Sequence, residues 1–344
     1  MAEASARPPA RFVGIEALRI ALGRPPVWLV VWAVEALLAL APALLLHAWM
    51  KGAVAHRYAP GSLFGNLDTT FRFDHQPETE TIDAATGMLG AVLAMLAVLF
   101  GAFSAGGWLQ VFLERTSGHS LQRFFLGGAR YFWRFFRLSI ATVLVLSLLT
   151  WLVHGPVWNR VVLGWICRVP ASDFERLETF TSEWSAFVAR AAQAATYAAG
   201  VALVFVWGDY SRTRLALHDT TSALWASACT AFTLLRHPWK TLRPFAALLL
   251  LEAALVVAAG VFARAVEAEV AKGSGLAGVG ILLATGQLAL LWRVVLRGAR
   301  YHAAVQVSRE VVRPIARPDP WKTSLGPEGG PRYPIGGDEY GMSL

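Results

Sequence analysis

The sequence predicts an all-α polytopic membrane protein: a transmembrane helix bundle of about six spans arranged as three helical hairpins, with amphipathic helices along the cytoplasmic interface. Three observations lead there. Hydrophobic residues make up 56% of the 344-residue chain and charged residues only 16%, against the ~25% charged residues of a soluble domain. The apolar residues gather into six blocks, each close to the ~20 residues that a helix needs to cross ~30 Å of hydrocarbon. Lipid offers backbone groups no partner, so a span must satisfy them internally, and the ~10-residue alternation of a membrane β-barrel is missing.

The blocks run approximately over residues 26–48, 84–107, 138–157, 185–207, 245–266 and 276–296. The first is entered through Leu22-Gly23-Arg24-Pro25 and followed by Ala53-Val54-Ala55. Its apolar run is about twice the length of a signal-peptide core, so it reads as a retained first helix. The second carries Ala97, Gly101 and Ala105, and the fourth Ala191, Ala195 and Ala199. Small residues at four-residue spacing let helices approach closely. Between the second and third blocks, residues 121–137 form an amphipathic helix. Leu121, Phe124, Phe125, Gly128, Phe132, Phe135 and Phe136 fall on one face, and Arg123, Arg130, Arg134 and Arg137 on the other. Such a helix suits the membrane interface, with its aromatic face in the acyl boundary and those four arginines facing lipid phosphates at ~1 kcal/mol each beside an anionic leaflet; alternatively the aromatic face packs against the bundle itself. Residues 221–235, ended by Pro238, are a weaker analogue.

Orientation follows from basic charge. With the N-terminus inside, and with Arg264 and Arg293 at the span ends counted with the regions they adjoin, the inner regions hold 22 of the 31 Lys and Arg residues, the outer loops eight, and Arg190 lies within a span. This positive-inside bias places both termini in the cytoplasm of a cell (inner) membrane protein. The domain reading is a cytoplasmic segment over 1–25, a membrane domain over 26–300, and a Pro/Gly-rich, largely disordered cytoplasmic tail over 301–344. Within the membrane domain a unit of about one hundred residues repeats three times in parallel. Glu35-Ala36-Leu37-Leu38 in the first unit matches Glu252-Ala253-Ala254-Leu255 in the third. The even spans leave through basic stretches: Phe112-Leu113-Glu114-Arg115, then 209–214, then Trp292-Arg293 with Arg297 and Arg300.

Ionisable residues inside spans are expensive and mark function. Glu35, Glu252 and Arg190 are the candidates. Either the two carboxylates line a polar path between hairpins, or each is neutralised in packing, while Arg190 snorkels outward. The histidines His47, His56, His75 and His154 with Asp68 and Asp74 match no metal-ligand spacing, so no metal is expected. The sequence holds no phosphate-binding Gly-rich loop, nucleophile elbow or His-Glu-x-x-His motif, so neither cofactor nor catalytic residue is assigned. Basic residues flank spans rather than forming one stripe, which points to anionic lipid headgroups on the cytoplasmic side and away from nucleic acid.

The paired spans, the amphipathic segment 120–137 and the stretch 209–214 followed by His218 and Asp219 resemble bacterial six-span membrane proteins of uncharacterised activity. The layout is similar to the membrane-embedded portion of some glycerophosphoryl diester phosphodiesterases. Those enzymes keep catalysis in a separate soluble domain, so the resemblance implies no phosphodiesterase activity. The sequence favours a non-enzymatic scaffold or accessory protein contacting lipid or a partner at its cytoplasmic face. The alternative is a transporter or lipid-translocating protein with a polar path near Glu35 and Glu252. An enzyme acting on lipid at the outer face is a third, weaker reading.

Overall fold

The computed structural model describes residues 13–54, 76–114, 119–173, 180, 182–269 and 275–311. Among them every regular element is helical. Helix α1 (Val13–Leu22) precedes the spans, and six long helices follow: α2 (Pro25–Val54), α3 (Gln76–Leu113), α4 (Ser120–His154), α5 (Glu183–His218), α7 (Pro238–Glu269) and α8 (Gly275–Val311), with the short α6 (Ala223–Arg236) between α5 and α7. Each of the six contains a stretch long and apolar enough to cross a membrane, and the chain is a multi-pass membrane protein.

Proline and capping chemistry set several boundaries. Pro25 and Pro238 open α2 and α7, where the missing N–H costs nothing. Ser182 caps α5 by accepting from Trp184 N at 3.2 Å, and Ser222 caps α6 by accepting from Trp225 N at 3.3 Å. After α4 a helical turn (Pro156–Trp158), a π-helical stretch (Asn159–Ile166) and a 3₁₀ turn (Ala171–Asp173) precede α5.

The spans are unevenly packed along their length. The end that carries α1, α6 and the close of α8, here called the basic end, contains most of the core: Trp108, Leu109, Phe124, Phe135, Leu138, Leu215, Val294 and Ala303 are all sealed from solvent. Towards the other, far end the same helices present Met88, Met95, Leu144, Leu148, Leu203, Val257 and Leu283 outward. In water this would be untenable. In hydrocarbon it carries no penalty, because lipid tails are as apolar as the side chains they meet.

A close helix approach joins α3 and α4 at the basic end. Gly106 and Gly107 of α3 meet Gly127 and Gly128 of α4, and a Cβ on Gly106 would lie 2.7 Å from the Gly127 carbonyl oxygen. Side chains on Gly107 and Gly127 would overlap Phe124 and Gln110. Three sequence expectations change here. The amphipathic segment 121–137 is the first half of a continuous α4; Phe124, Gly128 and Phe135 of its aromatic face are buried, whereas Leu121 and Phe125 are exposed. Of the small-residue stripes, Ala191, Ala195 and Ala199 are exposed and Gly101 has nothing within 4 Å, while Ala105 is sealed in the core, so close packing takes in one stripe member together with the glycine pairs. The third concerns the tail: α8 continues to Val311, past the expected boundary at 301, while residues 312–344 fall outside the described residues.

Candidate functional site

Where close packing ends, α8 lays three arginines along one face. Arg293, Arg297 and Arg300, spaced by four and three residues, recur at helical period and point at carboxylates from three other helices. Arg297 Nη1 donates to Glu35 Oε1 of α2 at 2.6 Å. Glu252 of α7 takes two arginines: Arg300 Nη1 donates to its Oε2, and Arg293 Nε to its Oε1 at 3.5 Å. Asp209 of α5 accepts from Arg212 Nη1 at 3.2 Å and lies 3.5 Å from Arg300 Nε. Arg212 also donates to Ser139 Oγ of α4 at 3.4 Å. Four guanidiniums thus meet three carboxylates, leaving one positive charge in excess.

The network borders a cavity of about 410 Å³. Part of its lining is polar: Ser139, Thr142, Asp209, Arg212, Glu252, Arg293, Arg297, Arg300 and Tyr301. The rest is apolar, from Ala97, Val98 and Gly101 of α3, Val143 and Leu146 of α4, Phe205 of α5 and Leu249 of α7. Gly101 and Ala97 therefore form a smooth wall. Glu35 is not in the lining; it acts on the cavity through Arg297. Counted at 1.5 Å per residue from Pro25, Glu35 sits about 15 Å along α2, well inside the stretch that spans the membrane.

Of the buried polar atoms in this cluster, Arg212 Nε has no hydrogen-bond partner among the described protein atoms, and Asp209 Oδ2 and Arg300 Nε have only their mutual 3.5 Å ion pair. Buried polar groups are nearly always satisfied by protein, water or ligand. Polar walls around a space this large suit water or a polar headgroup, whereas an apolar cavity stays dry.

The remaining sequence candidates lie elsewhere. Arg190 is exposed near the far end of α5, outside the cavity lining. At the basic end Arg123 pairs with Glu114 at 3.1 Å. Arg130 and Arg134 both reach Asp219, at 3.3 and 2.6 Å, and Arg137 is exposed. Asp219 sits in the left-handed region at the close of α5, with φ 46°, so its carboxylate ties α5 to α4. Among the described residues no three His, Cys, Asp or Glu side chains come together as metal ligands; His56, His75, Asp68 and Asp74 lie outside them. Cys167 and Cys229 are free thiols.

Sequence reasoning found Glu35 and Glu252 and missed Asp209, Arg212, Arg293, Arg297 and Arg300 as members of the same site. It read them as exit flanks of the even spans. Their helical spacing was the available signal: a stripe of arginines on a helix that still reads as apolar calls for acids on its neighbours.

The fold and site define a multi-pass membrane protein whose helices border a charged, partly apolar cavity. No protein-family model matches the chain, and no match is found among curated proteins or solved structures.

Proposed function

We propose that this chain binds an anionic amphiphile of the membrane in its central cavity and serves as a carrier for it. The carrying observation is the cavity itself, with an arginine-rich polar lining beside apolar walls. The loosest contact of the network is that of Arg293, 53% exposed and 3.5 Å from a carboxylate that Arg300 already holds, so the excess positive charge lies at an accessible place in the lining and suits an anion. The apolar walls suit the hydrocarbon part of the same molecule. Positive-inside bias supports placing the basic end, with both termini, in the cytoplasm of a cell membrane.

A second reading has one observation in its favour: each of the three carboxylates already has an arginine partner. On that reading the network only staples hairpins together, and the chain is a non-enzymatic scaffold.

Ligand retention separates the two. Purified full-length protein in zwitterionic nanodiscs would be offered a fatty acid, lysophosphatidic acid or lysophosphatidylcholine and weighed by native mass spectrometry. The carrier reading predicts about one equivalent of either anionic amphiphile and little of the zwitterionic one, with retention lost on Arg293→Gln. Equal retention of all three, or none, favours the staple.

A further inference from the structure

Helix α6 is built inside out. Ala223, Ala226, Ser227 and Thr230 face the bundle and are buried, whereas Leu224, Trp225, Phe232 and Leu235 project outward, Leu235 with 81% of its surface exposed. A surface helix in water buries its large apolar residues and exposes its polar ones. At 14 residues α6 is about 21 Å long, too short to cross the bilayer. Trp207 Nε1 donates to the Ser227 carbonyl at 3.0 Å, and Arg214 Nη1 to Thr233 Oγ1 at 3.3 Å, so α6 is pinned to α5 through its polar face. Its outward face is left for hydrocarbon.

Two further observations say what covers it. An apolar groove of about 450 Å³ runs between α6 and the spans, lined by Val145 of α4, Leu203, Val204 and Trp207 of α5, and Ala231 and Leu235 of α6. Val145, Leu203 and Val204 belong to the membrane-crossing helices, so the groove is at hydrocarbon depth. Following Leu235 in the chain, Arg236, Lys240 and Arg243 are all exposed, and the sequence contains no Asp or Glu from Thr220 to Leu251. Along α4, by contrast, Arg123 and Arg134 already face acids.

The geometry points to α6 and its groove as a binding site for a membrane lipid with an anionic headgroup. One acyl chain occupies the groove, and the headgroup meets Arg236, Lys240 and Arg243. The site shares no lining residue with the central cavity, so it stands or falls separately from the carrier reading.

The test uses full-length protein in nanodiscs of mixed phosphatidylglycerol and phosphatidylcholine, with the co-purifying lipid counted after release from the disc. Wild-type protein should retain phosphatidylglycerol over phosphatidylcholine. Neutralising Arg236, Lys240 and Arg243 to Gln should cut that retention by about fivefold per residue, the equivalent of ~1 kcal/mol for each basic group beside an anionic leaflet. Ala231→Trp, which fills the groove, should lower retention of both lipids, and Arg160→Gln, away from the site, of neither. Equal retention of the two lipids by wild-type protein overturns the proposal without any variant. Unchanged retention in the triple variant or in Ala231→Trp, or displacement of the lipid by inorganic phosphate, overturns it as well.

Discussion

Glu35 of α2 and Glu252 of α7 are both answered by arginines of one helix, α8. Breaking such a pair from one side leaves a charge uncompensated at membrane depth, at a cost of about 3–5 kcal/mol. Glu35→Gln should therefore destabilise the protein by roughly 3 kcal/mol, and adding Arg297→Gln should restore most of the loss; denaturant unfolding in detergent, run as a double-mutant cycle, measures both. Glu252→Gln acts differently. It releases Arg293, leaves Arg300 with Asp209 alone, and raises the excess cavity charge from one to two, so anionic amphiphile should bind more tightly in the titration that reads wild-type affinity. The two carboxylates were legible in the sequence because they interrupt long apolar runs. Their arginine partners were not, because hydropathy places the end of the sixth span near residue 296 and so counts Arg297 and Arg300 as flanking charge, although the helix runs on to Val311.

At the scale of elements, glycine placement separates packing from function. Gly127 sits against Gln110 and the Gly106 backbone, so Gly127→Leu must force α3 and α4 apart; overpacking of this kind costs about 1–3 kcal/mol. Nothing lies within 4 Å of a Cβ on Gly101, yet that residue lines the cavity. Gly101→Leu should leave thermal stability near wild type while weakening amphiphile retention, a split that thermal shift and native mass spectrometry read in parallel. Four-residue spacing of small side chains was a poor guide here. Ala191, Ala195 and Ala199 form a regular stripe but face outward, whereas the adjacent pairs Gly106-Gly107 and Gly127-Gly128 show their purpose only once α3 and α4 are seen to cross. The amphipathic segment 121–137 was legible as a helix with aromatic and basic faces. What periodicity cannot supply is which neighbour covers the aromatic face, and α3 covers much of it.

Across the whole molecule, the fold class was readable from block length and composition alone, since the cost of unpaired backbone in hydrocarbon leaves little choice of structure. The gradient of packing was not. Both ends of each span are apolar, and only the assembled helices show that the basic end is sealed while the far half exposes its side chains. That gradient puts the cavity where packing gives out, which is the arrangement a carrier needs if hairpins are to part. It also makes orientation testable: in intact cells a membrane-impermeant thiol reagent should label Trp165→Cys at the far end and leave Phe125→Cys at the basic end unlabelled until the membrane is opened. The central claim, that the cavity is open and attracts anions, is met most directly by cysteine accessibility. With Cys167→Ser and Cys229→Ser as background, Leu146→Cys would be exposed to a sulfonate-bearing and a trimethylammonium-bearing methanethiosulfonate reagent of similar size. An open, anion-attracting cavity gives faster modification by the anionic reagent, slowed by prior incubation with lysophosphatidic acid. No modification by either reagent, or equal rates with no protection, would contradict it and leave the charged network as a staple.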